Sequence, residues 1–92
     1  MLKPSVDVKE FEKYGFKKCK GDYGKAGCYY LCVNRGTAMI FVSSYMYDII
    51  GWSKFDPRIH KNPNCTGTRD MRTALDITYE LIKADMLTME VL

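Results

Sequence analysis

The sequence contains no apolar run long enough to cross a membrane. Runs such as Cys28 to Val33 and Ala38 to Val42 have only six and five residues, whereas a membrane-spanning helix needs about 20. The N-terminal residues Met1 to Asp7 also lack the apolar core of a signal peptide. We therefore expect a soluble, cytoplasmic protein that makes no contact with a membrane.

The cysteine content is also below that of disulfide-rich proteins. Four cysteines among 92 residues are too few for a disulfide scaffold, and no two of them form the Cys-x-x-Cys pair of many zinc sites. Cys28 and Cys32 would lie roughly 13 Å apart on a strand, at about 3.3 Å per residue, which is too far for two ligands of one zinc ion. We expect free, buried thiols in a reducing cytosol, with no metal and no cofactor. A zinc site is the alternative.

Histidine occurs only once, at His60, five residues before Cys65. A cysteine nucleophile needs a histidine within hydrogen-bond reach, but nearness in sequence does not establish that geometry. The flanking Arg58 and Lys61 also disfavour a protonated imidazole at this position. We predict a solvated loop histidine and no enzymatic activity, and an enzyme that uses Cys65 and His60 is the alternative.

What the chain does contain is the composition of an ordinary small folded domain. Apolar residues make up 47% of the sequence and charged residues 27%, and the formal net charge is +3. A chain of 92 residues has room for one domain, assigned here to residues 1–92. A domain of this size buries only about 60–65% of its unfolded surface, so the core should be thin.

Local patterns predict an α+β fold in the order αβββ(β)α. Asp7 and Glu10 have the spacing of a helix cap, and Gly15 is placed to end a short helix over residues 8–14. The β-rich runs predict strands at Phe16–Cys19, Cys28–Val33, Ala38–Ser43 and, with a break at Gly51, Tyr47–Lys54. Helical spacing predicts a last helix from Asp70 to Leu87. We expect a small antiparallel sheet of three to four strands packed against this C-terminal helix.

Two connecting segments are rich in glycine or proline. Lys20 to Lys25 has the glycines and lysines of a phosphate-binding loop, but such a loop leads into a helix and here a strand is predicted to follow. We therefore predict a hairpin turn. Residues 55–69 show no regular period and are predicted to form a long loop, and loops of that length are either functional or loosely ordered.

Both faces of the central hairpin are apolar. On the second strand Cys28, Tyr30 and Cys32 share one face, while Tyr29, Leu31 and Val33 share the other. A sheet with one face in water would alternate apolar and polar residues instead. One long helix covers one face, so aromatic residues should remain for a partner, with Tyr29, Tyr45, Tyr47 and Trp52 as the candidates. The alternative is that the helices and the long loop cover all of the apolar surface of the sheet.

The net charge is unevenly distributed. Residues 1–25 and residues 54–72 each carry +3, whereas residues 73–92 carry −3. A basic stripe can neutralise phosphates, and the nucleic-acid-binding candidates are Lys17, Lys18, Lys20, Lys25, Arg58, Lys61, Arg69 and Arg72. The other interpretation is that these basic residues are solvated, or that they pair with the acidic last helix of the same subunit or of another one.

The predicted element order resembles that of double-stranded-RNA-binding domains. That resemblance implies docking through a lysine-rich first turn of the second helix. Here the turn reads Arg69-Asp70-Met71-Arg72 and has no lysine cluster. The topology therefore agrees with that family better than the binding residues do.

Two stretches, Asp56-Pro57-Arg58-Ile59-His60-Lys61 and the helix Ala74 to Ala84, carry a second resemblance. They resemble small proteins encoded by phages and prophages of Gram-positive bacteria. The resemblance covers the C-terminal third of the chain and implies an accessory protein in the bacterial cytoplasm, without assigning any functional residue.

These observations favour a non-enzymatic interaction module that self-associates, or docks on another protein, through an aromatic surface of its sheet. The alternative function is weak nucleic-acid binding by the basic residues of the first strand and of the loop 54–72. The two hypotheses differ in which side chains share an exposed face.

Overall fold

The computed structural model describes residues 2–34, 38–53, 55–60 and 71–89, without the side chains at 34 and 71–73. Six strands are found there: β1 (Leu2–Pro4), β2 (Lys17–Lys18), β3 (Tyr29–Asn34), β4 (Ala38–Val42), β5 (Tyr47–Ile50) and β6 (Leu87–Met89). The helices are a 3-10 helix (Val8–Tyr14), α1 (Gly21–Lys25) and α2 (Met71–Lys83). The predicted α+β class is confirmed, with a four-stranded antiparallel sheet and a C-terminal helix.

The main sheet has the strand order β2-β3-β4-β5, and every pair is antiparallel. Its centre is the β3–β4 hairpin, in which Leu31 lies opposite Ile40 and Cys32 opposite Met39. These strands form because β-branched and aromatic residues fit a pleated, buried surface. Since successive residues point to opposite sides, Leu31 and Cys32 belong to two separate cores.

The first core, here the helix-side core, lies between the main sheet and its helices. Phe11 of the 3-10 helix and Leu81 of α2 are fully buried in it, together with Ile40 and Val42 of the sheet. The rings of Phe11 and Phe16 meet edge to face at 5.3 Å. The helices therefore cover this face with regular structure.

The second core, here the strap-side core, lies on the opposite face of the same sheet. Its buried members are Cys19, Cys28, Tyr30, Cys32, Met39, Phe41 and Ile59. Ile59 belongs to the strap, which we define as residues 55–60. The strap crosses this face of the sheet without regular secondary structure. Both faces of the hairpin are thus apolar, as predicted, and both are covered.

The first predicted helix is found at residues 8–14, but as a 3-10 helix. The Asp7 carboxylate accepts a hydrogen bond from the Lys9 N–H at 3.0 Å, which caps its start. Gly15 ends it with a φ of 90°, a left-handed conformation that glycine adopts without a steric penalty. The same two residues that marked the ends in the sequence therefore set the ends in the structure.

Several predicted boundaries are wrong. The expected turn at residues 20–25 is the short helix α1, and the fourth strand ends at Ile50 rather than reaching residue 54. The last helix ends at Lys83, because Asp85 adopts a φ of 59° and the Met86 N–H turns back to the Leu81 carbonyl at 3.0 Å. The start of that helix at residue 70 lies outside the described residues.

A small second sheet was not predicted at all. It pairs β1 with β6, so that Leu2 lies opposite Met89 and Pro4 opposite Leu87. Ser5 adds two bonds to the turn before β6, from its N–H to the Met86 carbonyl at 2.9 Å and from its hydroxyl to the Asp85 carbonyl at 2.6 Å. This sheet joins the start of the chain to the end of α2.

Within the described ranges, no helix combines the length and the apolar composition of a membrane span.

Candidate interaction surface

Two of the four predicted interaction residues are buried. Tyr29 and Tyr47 both belong to the helix-side core. The Tyr29 hydroxyl donates to the Glu12 carboxylate at 3.1 Å, and the Tyr47 hydroxyl is 2.8 Å from that of Thr78 on α2. Their assignment to an exposed surface is therefore wrong in this structure, because the helices cover the face of the sheet on which they lie.

The other two candidates lie apart from each other in the fold. Trp52 is half-buried against the strap-side core, and its indole N–H donates to the Ala38 carbonyl at 2.9 Å. Tyr45 is 80% exposed in the turn between β4 and β5. The four aromatic residues thus do not form one surface, and the exposed aromatic sheet face that was predicted does not exist among the described residues.

The strap is held on the sheet by an internal ion pair. Arg58 donates from Nε to one oxygen of Asp56 at 2.9 Å and from a terminal nitrogen to the other at 2.6 Å. The Arg58 guanidinium also lies 5.4 Å from the centre of the Phe41 ring. The hydrogen bonds from Arg58 lower the pKa of the Asp56 carboxyl. Arg58 is therefore matched within the chain, which contradicts its assignment as a phosphate-binding cation.

His60 also contacts the sheet. Its backbone N–H donates to the Tyr30 hydroxyl at 3.2 Å, and the two rings are stacked with centres 6.1 Å apart. The contact anchors the end of the strap to β3. Cys65, the proposed partner of His60 in an enzyme, lies outside the described residues.

The three described cysteines, Cys19, Cys28 and Cys32, are buried thiols, as predicted. Burial raises the pKa of the Cys19 thiol to about 12 and also raises the pKa of Cys28. Among the described residues no group of three ligand-type side chains is arranged to hold a metal ion. The thiols pack as small apolar groups in the strap-side core.

Of the remaining basic candidates, Lys17, Lys18, Lys20 and Lys25 are exposed. Lys17 and Lys18 form β2, an edge strand of the main sheet. Lys25 lies 3.8 Å from Asp22, with both side chains almost fully in water, so this pair contributes little. Lys61 and Arg69 lie outside the described residues, and so does the side chain of Arg72.

A row of exposed apolar side chains runs along α2. Leu75, Tyr79 and Ile82 are 56%, 59% and 45% exposed. At 100° per residue these positions fall within roughly 60° of arc, so they form one row along the helix. We call these three residues the α2 stripe. Ala74 and Leu81, on another side of the same helix, are fully buried.

Charged residues border the α2 stripe on one flank. Asp76 and Lys83 are seven residues apart, which is close to two full turns, so they lie on the same side of the helix. The Lys83 ammonium is 3.3 Å from the Glu80 carboxylate and 5.1 Å from the centre of the Tyr79 ring. The stripe therefore combines an apolar centre with an edge that carries both signs of charge.

The α2 stripe was not predicted from the sequence. Helical spacing predicts the last helix without distinguishing its buried apolar positions from exposed ones such as Leu75 and Ile82. The number of apolar positions could have indicated the stripe, since that helix has more of them than one buried side needs.

Comparison of the chain with protein-family models, with curated proteins and with solved structures finds no match. The resemblance to phage and prophage proteins therefore stays a prediction.

Proposed function

We propose that the protein is a non-enzymatic interaction module that self-associates through the α2 stripe, with a second copy of the chain as its partner. The exposure of Leu75, Tyr79 and Ile82 in one row supports the proposal. Contiguous apolar residues bordered by charged ones are typical of protein contact sites. The proposal keeps the predicted class of function but moves the contact from the sheet to the helix.

The spacing of the α2 stripe fits a two-fold axis. If two copies of α2 pack antiparallel and cross at Tyr79, each Leu75 meets Ile82 of the other copy and the two Tyr79 rings meet at the axis. The stripe is therefore complementary to itself, as an isologous contact requires.

The charged edge of the stripe fits the same arrangement. In an antiparallel helix pair, residues on one flank of the first helix face residues on the same flank of the second. Asp76 of each copy then lies near Lys83 of the other, which gives two opposite-charge pairs per dimer. Charge pairs at the rim of a contact contribute mainly to specificity and orientation.

A stripe of three side chains is a small contact, below the area of stable complexes. We therefore expect weak association, with a dissociation constant in the range of about 10–500 µM. Sedimentation velocity across this range should show the chain moving from monomer towards dimer as its concentration rises.

Two tyrosine variants test whether association depends on the α2 stripe or on any exposed aromatic side chain. Tyr79→Gln should weaken association about tenfold or more, because it removes the ring at the centre of the contact. Tyr45→Gln makes the same change at a more exposed tyrosine outside the stripe and should leave association within about twofold of the wild type. A monomer at every concentration, or equal effects of the two variants, would contradict the proposal.

Nucleic-acid binding is not proposed here. Arg58 is paired with Asp56, and the lysines of β2 lie on an edge strand, where charged residues commonly serve to prevent pairing with other chains. No observation on the described residues favours phosphate binding over that role.

A further inference from the structure

Two of the buried cysteines face each other directly after β2 and directly before β3. Lys17 lies opposite Tyr30 and Lys18 opposite Tyr29, so one further step places Cys19 opposite Cys28. The Cys19 N–H donates to the Cys28 carbonyl at 2.9 Å, which confirms that the antiparallel register continues to this pair. Directly opposite residues project to the same side of a sheet, and both thiols lie in the strap-side core.

The spacing of such a pair suits a disulfide. Directly opposite residues that share ladder hydrogen bonds in an antiparallel pair have Cα atoms about 5.5 Å apart, and disulfides join Cα atoms about 4.4–6.8 Å apart. Only one of the two ladder bonds is present here, because the Cys28 N–H donates to the Tyr23 carbonyl at 3.0 Å instead.

Cys32 provides the contrast within the same core. It lies on β3, four residues beyond Cys28 in the chain, and opposite Met39 on β4. At about 3.3 Å per residue, Cys28 and Cys32 are roughly 13 Å apart and cannot be joined without breaking the strand. Among the described cysteines, the register therefore selects one pair.

The segment between Cys19 and Cys28 is fixed close to both. A Cβ atom added at Gly24 of α1 would collide with the Cys19 carbonyl oxygen, so α1 packs directly on the backbone of Cys19. The hydrogen bond from the Cys28 N–H to the Tyr23 carbonyl also ties α1 to Cys28. The two cysteines are thus held in place by the short loop that connects them.

We propose that Cys19 and Cys28 are an oxidisable dithiol, which forms an intramolecular disulfide on reaction with a hydroperoxide. In the first step one thiolate attacks the peroxide oxygen, which gives a sulfenic acid and releases water or an alcohol. In the second step the other thiol displaces the hydroxyl group as water and the S–S bond forms. The two thiols lose two electrons and two protons, and the peroxide is reduced by two electrons.

The reaction should be slow at neutral pH and faster in alkali. Burial raises the pKa of the Cys19 thiol, so thiolate, the reactive form, is scarce near pH 7. This expectation is independent of self-association through α2, because the α2 stripe lies on a different element from the two cysteines.

The test uses the whole chain and hydrogen peroxide. The protein is treated at pH 7 and pH 9, denatured, alkylated and digested with chymotrypsin, which cleaves after Tyr29 and Tyr30 and so separates Cys28 from Cys32. We expect a Cys19–Cys28 link with a mass loss of about 2 Da, which a reducing agent reverses. The link should form several-fold faster at pH 9, and Cys32 should stay reduced and therefore be recovered in its alkylated form.

Alanine variants provide the matched comparison, since each replaces a buried cysteine by a smaller apolar residue. Cys19→Ala and Cys28→Ala should abolish the mass loss, whereas Cys32→Ala should retain it. The oxidised protein should also unfold several degrees higher than the reduced one, because the link constrains the unfolded chain. A link that involves Cys32 or Cys65, or oxidation of single cysteines to sulfinic acid without a link, would overturn the proposal.

Discussion

On one face of the main sheet the cover is a helix, and on the other face it is an irregular strap. The helix-side core is closed by α2 and the 3-10 helix, through fully buried side chains such as Phe11 and Leu81. The strap-side core is covered in part by residues 55–60, which contribute one buried apolar side chain, Ile59, and are held by the Asp56–Arg58 pair and by contacts of His60 with Tyr30. The Tyr23 ring of α1 adds an edge-to-face contact with Phe41 at 6.3 Å.

The difference teaches where a small domain keeps surface for a partner. A helix that covers one face of a sheet has another side turned to solvent, and on α2 that side carries the α2 stripe. The strap uses its polar groups to hold itself in place, so Arg58 is internally matched. On the helix side of the molecule, the exposed apolar side chains thus include a regular row along one helix.

The largest expected effect comes from the two sides of α2. Leu81→Ala should lower the free energy of unfolding by about 2–5 kcal/mol, because Leu81 is fully buried. Leu75→Ala makes the same change on the exposed side of the same helix and should cost less than about 1 kcal/mol. Urea unfolding at low protein concentration measures both values, and similar losses would show that α2 does not pack as described.

The strap should contribute less, and in a pH-dependent way. Arg58→Met keeps much of the side-chain stem over Phe41 but removes the charged hydrogen bonds to Asp56, which should cost about 1–2 kcal/mol at pH 7. The pKa of Asp56 is lowered in the folded state, so this stabilisation is present above the unfolded pKa of about 3.9 and is lost as the pH falls through the folded value. Wild type and Arg58→Met should therefore converge in stability in acid.

The exposed Lys83–Glu80 pair provides the control for that measurement. Lys83→Met removes an ion pair whose side chains are more than half exposed, and such pairs contribute little. Urea midpoints at pH 7 should thus drop for Arg58→Met and hardly change for Lys83→Met. If the two drops are equal, the strap is not held by its ion pair.

The sequence predicted the main sheet well because its signals are local. Continuous apolar, β-rich runs along β3 and β4 indicated strands with two apolar faces, and Asp7 with Gly15 marked the first helix. It did not predict the β1–β6 sheet, because three-residue strands such as Leu87–Met89 are too short to show a period. The end of α2 was also missed, since Asp85, and not a glycine, adopts the left-handed conformation there.

The interaction surface was harder to predict than the fold. Apolar periodicity shows that residues 74–82 are helical, but it does not say which of those apolar positions the sheet covers. That depends on where α2 lies, which in turn depends on contacts such as Tyr47 with Thr78, 31 positions apart in the chain. In the same way, Cys19 and Cys28 become a pair only once the register of β2 on β3 is known.

Self-association through antiparallel α2 helices is tested most directly by mixing two charge variants, Asp76→Lys and Lys83→Glu, at low salt. Each variant alone places like charges opposite each other twice per dimer and should weaken association about fivefold or more. An equimolar mixture restores opposite charges at both places, so sedimentation velocity should show dimer formation close to that of the wild type. A mixture that associates no better than either variant alone would contradict the account.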